Sequence, residues 1–436
     1  MLDHALSPLD GRYASSVDSL RSYFSEEALM HARVEVEISY FIALAELPDV
    51  RELRLNAQQK KVLRGVVERF SERDIIEIKK IESRTRHDVK AVEYYLQERF
   101  SKIAGLKDKT AFIHFALTSE DVNNLAYGIL IHRALEDVIR PGVKTITNAI
   151  TRVARSWSKV SLLSLTHGQP ATPTTVGKEF QVFAERLQRQ SDQLKRFRMQ
   201  GKLGGAVGTF SAHAAAYPDT DWPKFGARFI RSLGLIPLSA TTQINPHDDI
   251  AELSHLLCRI NTILLDFSRD SWLYISRGVF KQKVVTGEVG SSTMPHKVNP
   301  IDFENAEGNL GVSTALFMHF AEKLPVSRLQ RDLSDSTVQR NIGVAFGYHM
   351  LALHSLARGL GKLSLDRSAV RRELEAHPEV IAEAIQTVLR KHGAADAYEK
   401  LKKLTRGETV TKEILWDYIE ALPIPRGERE RLLKML

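Results

Sequence analysis

Cysteine is nearly absent from this sequence, and long apolar runs are missing altogether. The 436 residues include a single cysteine, Cys258, which excludes a disulfide within the chain and any site built from paired cysteines. Its apolar, helix-like surroundings predict a buried thiol. No stretch reaches the roughly 18 apolar residues that a membrane-spanning helix requires, and the first residues do not resemble a secretory signal. These absences predict a cytoplasmic protein without a membrane partner.

Charge of one sign is not concentrated in any part of the chain. Lysine and arginine number 61 against 53 aspartate and glutamate, which leaves a net charge of +8. The two signs are interleaved, as in RELRLNAQQKKVLRGVVERFSERD, and such interleaving is typical of solvated helix faces. No motif of a nucleic-acid-binding module occurs. A small anionic substrate therefore explains the positive charge better than a nucleic acid does.

Strand-like alternation is scarce, and helical periodicity dominates. Apolar residues recur at helical spacing over 251–275, and similar patterns run over 27–46, 88–100, 119–139, 143–163, 174–199, 302–323 and 336–362. Glycine and proline, such as Pro141-Gly142, are expected to separate these segments. The pattern predicts an all-α fold with a long central helical bundle flanked by smaller N- and C-terminal helical domains.

Two breaks in the helical pattern suggest where the domains divide. A polar break near residue 107 and a change to shorter patterns near 360 predict domains at 1–107, 108–360 and 361–436. Helices this long and apolar often bury their remaining faces by self-association, so we expect an oligomer.

The segment 287–300, GEVGSSTMPHKVNP, is the least helical part of the chain. Its glycines and prolines predict a loop between two long helices. A plain connecting loop and an active-site loop are both compatible with this composition. In an active site, Ser291 or Ser292 would supply a hydroxyl group and Lys297 a cation. The glycine-rich backbone would offer N–H groups to an anion.

Residues 165–173, LTHGQPATP, predict a turn between two helices. We expect one helix to end near Leu165 and the next to begin with Thr172 as its N-cap and Pro173 in its first turn. His167 would then lie in the turn. It is either a structural residue or a group for proton transfer near neutral pH.

Three further segments look like the beginnings of helices. The pairs Thr118 with Asp121, Thr85 with Asp88, and Ser336 with Gln339 have the spacing of capping boxes. Helix N-termini present N–H groups and partial positive charge to anions, and arginines near the third segment suit a phosphate group. No Walker loop, dinucleotide fingerprint, HExxH or GxSxG motif occurs.

The run GSSTMPHKVNP at 290–300 matches the fumarase/aspartase superfamily signature, GSSxMPxKxNP, at every fixed position. Within that superfamily the chain resembles the adenylosuccinate lyases. The resemblance extends from residue 7 to 341 and is carried by SPLDGRY, TRHDVKAVEYYL, HFALTSEDVNNL, THGQPATPTTVGKE, TTQINPHD and KLPVSRLQRDLSDSTVQRN. The alternative is another lyase of the superfamily, such as argininosuccinate lyase, in which the nucleotide-binding segments DGRY and QRDLSDSTVQR are not expected.

The resemblance implies a fumarate-releasing lyase of purine nucleotide biosynthesis that uses no metal and no organic cofactor. Its two reactions would convert adenylosuccinate to AMP and the succinylated aminoimidazole carboxamide ribotide to the free carboxamide ribotide. Ser291 is expected as the general base and His167 as the general acid. A small-molecule nucleotide would be the ligand, and the resemblance implies a homotetramer whose active sites are shared between subunits.

The resemblance also implies the substrate-binding residues. Those expected at the succinyl carboxylates are Thr118, Ser119, Lys297 and Asn299, with Gln243 nearby. Those expected at the nucleotide phosphate and ribose are Arg12, Tyr13, Arg331, Ser336 and Arg340. The remaining substrate-binding residues implied by the resemblance are Arg86, His87, Asp88, Asn305 and Thr337.

Overall fold

The computed structural model describes residues 5–285, 287, 294, 296–405 and 410–436, and the secondary structure of this part is overwhelmingly helical. The α-helices are α1 (Arg21–Phe24), α2 (Glu26–Leu44), α3 (Ala57–Glu68), α4 (Glu72–Thr85), α5 (Asp88–Ser101), α6 (Ser119–Ala134), α7 (Arg140–Ser156), α8 (Val176–Arg196), α9 (Ser211–Ala216), α10 (Trp222–Ser232), α11 (Asp248–Ser276), α12 (Ile301–Lys323), α13 (Ser334–Gln339), α14 (Ile342–Lys362), α15 (Arg367–Glu375), α16 (Ala382–Lys391), α17 (Ala397–Thr405), α18 (Lys412–Glu420) and α19 (Arg426–Leu433). The prediction of an all-α fold is confirmed.

The strands are short and pair two by two. They are β1 (Ser161–Thr166), β2 (Gln169–Thr175), β3 (Gln200–Gly201), β4 (Ile236–Pro237), β5 (Phe280–Gln282) and β6 (Leu363–Leu365). The pairs β1–β2 and β5–β6 are antiparallel, and β3–β4 is parallel. Among the described residues, no helix combines the length and the apolar character needed to cross a bilayer.

The chain divides into two compact units. The first unit consists of Met1–Thr145, Gln188–Asp266 and Asn305–Ser355, and the second unit of Ile146–Leu187, Phe267–Glu304 and Leu356–Leu436. The division of the sequence at residues 107 and 360 stays a prediction.

Helix α6 lies at the centre of the first unit. Most of its residues are buried, polar ones included, and α2 packs along it. An α-helix that is covered on nearly all sides needs partners for each buried polar group. Asn124 illustrates this, because its amide accepts from the Lys202 N–H (2.8 Å) and donates to the Lys202 carbonyl (2.9 Å).

A fully buried ion pair joins the beginning of α6 to the segment that follows β3. Lys202 Nζ lies 2.7 Å from Asp121 Oδ1, and neither side chain is exposed to solvent. Asp121 also accepts hydrogen bonds from the backbone N–H groups of Thr118, Gly204 and Gly205, at 2.9–3.0 Å. Four donors therefore surround one carboxylate, which offsets the large desolvation cost of burying it.

The second unit contains the β1–β2 hairpin and a small C-terminal core. The core is built from the apolar faces of α16, α17, α18 and α19 together with the short helix Pro378–Ile381. Glu428 connects two of these helices, since it accepts hydrogen bonds from Lys391 and His392 at the end of α16.

Several sequence predictions about helix ends are wrong. Pro141 and Gly142 lie inside α7 rather than between helices, and a π-helical turn, Leu135–Ile139, joins α6 to α7. The helix predicted over 143–163 ends at Ser156, and the one predicted over 336–362 is two helices, α13 and α14. Cys258 is buried as predicted.

We predict that Lys202→Met lowers the free energy of unfolding by about 3–5 kcal/mol, because Asp121 would stay buried without its cation. Urea unfolding at pH 7 measures this effect. The control is Glu375→Gln, which removes an exposed ion pair with Arg371 and should leave the unfolding midpoint unchanged. Equal midpoints for wild type and Lys202→Met would contradict the importance of the buried pair.

Candidate active site

A polar cavity of about 370 Å³ lies in the first unit. Its walls come from α2, the α4–α5 junction, the N-terminal half of α6 and the segment 331–340. The lining residues are Arg33, Arg86, His87, Asp88, Ser119, Glu120, Asn123, Tyr127, Arg331, Leu333, Ser336, Thr337, Gln339 and Arg340. Eight of them were predicted to bind substrate, namely Arg86, His87, Asp88, Ser119, Arg331, Ser336, Thr337 and Arg340. The cavity thus brings together sequence segments that are far apart in the chain.

Asp88 holds two of the arginines that line the cavity. Its Oδ2 lies 2.7 Å from the Arg33 guanidinium and 3.1 Å from that of Arg340. Burial alone would raise the pKa of Asp88, but the two guanidinium groups hold it below its ordinary value. Arg33 also donates from Nε to Asn123 Oδ1 at 2.9 Å. Because Arg33 is buried on α2 and Arg340 is exposed, Asp88 anchors the second arginine to the interior of the unit.

Arg331 lies on another wall and is held by neutral and acidic groups. Its guanidinium donates to Gln243 Oε1 (3.3 Å) and to Ser336 Oγ (3.1 Å). Glu120 Oε2 is 3.5 Å away and Asp335 Oδ1 is 3.9 Å away. The interaction with Ser336 connects two residues that were predicted to bind the same phosphate group.

The two acids beside Arg331 differ in their protonation. Burial raises the pKa of Glu120 to about 7, against the opposing effect of the neighbouring cations. Burial would also raise the pKa of Asp335, but contacts with His247, the Ser336 backbone N–H and Arg331 lower it below its ordinary value. At neutral pH Asp335 is therefore ionised, whereas Glu120 is poised between its two forms.

Glu120, Asp335 and His247 each place a ligand-type atom within 4.8 Å of the others. Three such atoms can bind a metal ion. Here the guanidinium of Arg331 already lies beside both carboxylates, and it supplies the positive charge that a metal would otherwise bring. We therefore interpret these residues as a charge network around Arg331.

The N-terminus of α6 forms a further wall. Asp121 reaches back to the Thr118 N–H at 2.9 Å, as the capping-box pattern predicted. Ser119 is the first residue of the helix and lines the cavity, and Thr118 precedes it. The first N–H groups of a helix of this length attract a carboxylate or phosphate that approaches along the helix axis.

The other two predicted helix caps are wrong. Thr85 is the last residue of α4, and His87 caps α5 instead, with its Nδ1 accepting from the Lys90 N–H at 3.2 Å. Ser336 lies within α13, where it accepts from Arg331 rather than capping the helix. In both places the competing partner lies only a few residues away in the chain.

His167 lies in the second unit, at the tip of the β1–β2 hairpin. His167 and Gly168 form a two-residue loop between the paired residues Thr166 and Gln169, and both have positive φ angles, 54° and 74°. This is the backbone of a type I′ turn. The prediction that a helix starts at Thr172 is wrong, since β2 continues to Thr175 and α8 begins at Val176. His167 itself is exposed in a turn, as expected.

The remaining predicted residues are spread over both units. In the first unit Arg12 is exposed, and Tyr13 Oη lies 3.5 Å from Asn305 Nδ2. Gln243 donates to the Ala206 carbonyl at 2.9 Å and accepts from Arg331. In the second unit Lys297 is exposed and Asn299 is half-buried. Ser291 and Ser292 lie outside the described residues.

Sequence reasoning missed several residues of the cavity. They are Arg33, Glu120, Asn123, Tyr127, Leu333 and Gln339. Arg33 offered a usable signal, because a charged residue within the apolar stretch of α2 must be paired if it is buried. For Glu120 the sequence contained no comparable signal, because acidic residues are common at helix N-termini.

Comparison with known proteins identifies the family of this chain. A family model described as "Lyase" matches residues 11–313, and one described as "Adenylosuccinate lyase C-terminal" matches residues 327–436. The adenylosuccinate lyase of Legionella pneumophila is 52% identical over 99% of this chain and 95% of its own length. Those of Haemophilus influenzae and Escherichia coli are 49% identical with the same coverage. The chain belongs to the adenylosuccinate lyase family.

Solved structures of other enzymes share the fold of this chain. A fumarate lyase from Mesorhizobium sp. BNC1 superimposes with a TM-score of 0.76, at 17% identity, over 96% of this chain and 94% of that chain. A 3-carboxy-cis,cis-muconate lactonizing enzyme from Pseudomonas putida superimposes with a TM-score of 0.75, at 19% identity, over 95% and 92%. At such identities the likeness concerns the fold alone.

We predict that Asp88→Asn destabilises the protein by about 3 kcal/mol at pH 7, because the buried Arg33 guanidinium would lose its carboxylate. The folded-state pKa of Asp88 is depressed, so this stability is present above the ordinary pKa near 3.9 and is lost as pH falls through the folded-state value.

Urea unfolding between pH 7 and pH 3 tests this prediction. The difference between wild type and Asp88→Asn should be constant down to about pH 4.5 and shrink below it. Asp10→Asn, which removes an exposed ion pair with Arg21, serves as the control without measurable effect. A difference that grows with acidity would be incompatible with our account.

Proposed function

We propose that this chain eliminates fumarate from adenylosuccinate to give AMP, and from the succinylated aminoimidazole carboxamide ribotide to give the free carboxamide ribotide. Family membership over nearly the whole chain supports the reaction class. The observation in the structure that carries the proposal is the cavity in which Arg331, Ser336 and Arg340 meet the N-terminus of α6. A substrate with one phosphate and two carboxylates matches these groups in charge.

The binding groups divide naturally between the two ends of such a substrate. Arg331 and Arg340 would bind the phosphate and ribose together with Ser336, because guanidinium and hydroxyl donors recognise phosphate oxygens. Thr118 and Ser119 would bind a succinyl carboxylate beside the first N–H groups of α6. Lys297 and Asn299 would complete the succinyl side, as the family signature implies.

The proposed elimination requires from the protein only a general base and a general acid. Ser291 would take the proton from Cβ of the succinyl group, and the electron pair of that C–H bond becomes the new C=C bond of fumarate. The C–N bond breaks, its electron pair stays on the departing nitrogen, and His167 would donate a proton there. Negative charge develops on the adjacent carboxylate, where preorganised donors lower the barrier. Our proposal therefore includes no metal and no organic cofactor.

We further propose a cytoplasmic homotetramer whose active sites combine residues of different subunits. Large apolar side chains on three long helices support self-association, since Val182 on α8, Leu273 on α11 and Val312 on α12 are 43–51% exposed. In such an assembly His167 and the signature segment 290–300 would join cavity residues of other subunits. The proposal includes no nucleic-acid or membrane partner.

We expect the purified protein to release fumarate rapidly from adenylosuccinate and not from argininosuccinate. Fumarate absorbance, or a coupled fumarase assay, measures both reactions. Argininosuccinate carries the same succinyl group on nitrogen but lacks the nucleotide, so the comparison tests the arginine-rich wall directly. Release from argininosuccinate alone would mean that the reaction class is right and the substrate wrong.

We expect Ser291→Ala and His167→Ala each to lower kcat by at least about 10²-fold, since general acid–base groups contribute that much. Ser292→Ala is the matched control for the signature loop, because it removes a neighbouring hydroxyl, and it should retain far more activity. Circular dichroism and gel filtration would verify folding and assembly of each variant. Near-normal turnover of either Ser291→Ala or His167→Ala would refute the assigned roles.

A further inference from the structure

Glu120 is a buried carboxylate that the proposed reaction does not use. It is the second residue of α6, it is 1% exposed, and it lines the cavity beside Arg331. Its Oε2 contacts the guanidinium at 3.5 Å, while its Oε1 is buried and has no hydrogen-bond partner among the described residues. A carboxylate in this condition is costly to keep ionised.

Both positive and negative groups surround Glu120. The positive groups that act on it are Arg331 before α13, Lys202 after β3 and His247 before α11. Tyr127 on α6 also interacts with it, Asp335 on α13 is a neighbouring carboxylate, and Asp88 lines the same cavity. Asp335 is ionised and also lies beside Arg331. Arg331 therefore has one permanent carboxylate partner and one that can gain a proton.

The guanidinium of Arg331 has a donor that these partners do not use. Its two terminal nitrogens are used by Gln243, Ser336 and the acids, but its Nε is buried and without a hydrogen-bond partner among the described residues. A phosphate dianion that approaches the guanidinium would also approach the Glu120 carboxylate. The repulsion between two anions at such distances is large enough to shift the pKa of Glu120 by about one unit or more.

We infer that Glu120 controls, through its contact with Arg331, how tightly the cavity binds the substrate phosphate, and that the phosphate binds best when Glu120 carries a proton. This inference rests on the proposed function, which places the phosphate at Arg331. Protonated Glu120 leaves the guanidinium to the phosphate, while ionised Glu120 competes with it. Binding near neutral pH is then coupled to uptake of a proton from solvent by this carboxylate.

The sign of the pH dependence follows from this coupling. The carboxylate of Glu120 has a pKa of about 7 in the protein, so wild-type affinity for the phosphate should fall as pH rises above that value. Glu120→Gln keeps the size of the side chain and an oxygen acceptor for Arg331 but cannot ionise. The ratio of the wild-type KM to the Glu120→Gln KM cancels the ionisation of the phosphate itself, which occurs in both proteins.

The test measures KM for adenylosuccinate in wild type and Glu120→Gln from about pH 6 to pH 8.5. We expect a ratio near one at the acidic end that rises to about three- to tenfold at the basic end, with a smaller change in kcat. The control substrate is the same molecule without its phosphate, for which the ratio should not depend on pH. In an Arg331→Gln background, Glu120→Gln should have no further effect.

A measurement without turnover separates this inference from the proposed function. Calorimetric titration with AMP at about pH 7.5, in two buffers that differ in ionisation enthalpy, gives the number of protons bound. Wild type should take up more protons for each AMP bound than Glu120→Gln does. This experiment remains informative even if the protein releases no fumarate.

Three results would overturn the inference. The first is a KM ratio that does not change with pH. The second is a higher KM in Glu120→Gln at every pH, which would mean that the charged carboxylate assists binding. The third is AMP binding without any difference in proton uptake between the two proteins. Absence of fumarate release with a clear difference in proton uptake would instead refute only the proposed function.

Discussion

A lysine and an aspartate without solvent exposure face each other where α6 begins, with 2.7 Å between Lys202 Nζ and Asp121 Oδ1. The same carboxylate binds three backbone N–H groups, one before α6 and two after β3. Two segments about 80 residues apart in sequence are thereby fixed to one another through a single side chain. Ser119 and Glu120 lie between Thr118 and Asp121, so this arrangement also fixes their positions.

The same principle governs the charges of the cavity. Guanidinium groups that must bind an anion repel each other and are expensive to bury unless acids hold them. Asp88 serves Arg33 and Arg340 together, and Asp335 with Glu120 serves Arg331. The acids are therefore part of the proposed anion-binding site. Asp88 and Asp335 have lowered pKa values and stay ionised beside their cations, whereas the proposed response to the phosphate depends on the raised pKa of Glu120.

Periodicity predicted most long helices well because apolar residues recur along them at helical spacing. The stripes over 251–275 and 302–323 correspond to α11 and α12 within a few residues. The errors occurred where the local sequence signal was weak or ambiguous. The β1–β2 hairpin carries too few alternating apolar residues to be visible in sequence. His87 and not Thr85 caps α5, because α4 continues through Thr85.

By itself the sequence determined the all-α class and most helix positions, because these follow from residue spacing along one segment. The signature GSSTMPHKVNP and the segments around it also determined the family, because they are identities of residues and need no geometry. Only the tertiary structure decided that Arg33 and Glu120 belong to the cavity and that Asp88 bridges two arginines. These are contacts between segments far apart in the chain, and the pKa of a buried carboxylate depends on all the charges that folding brings around it.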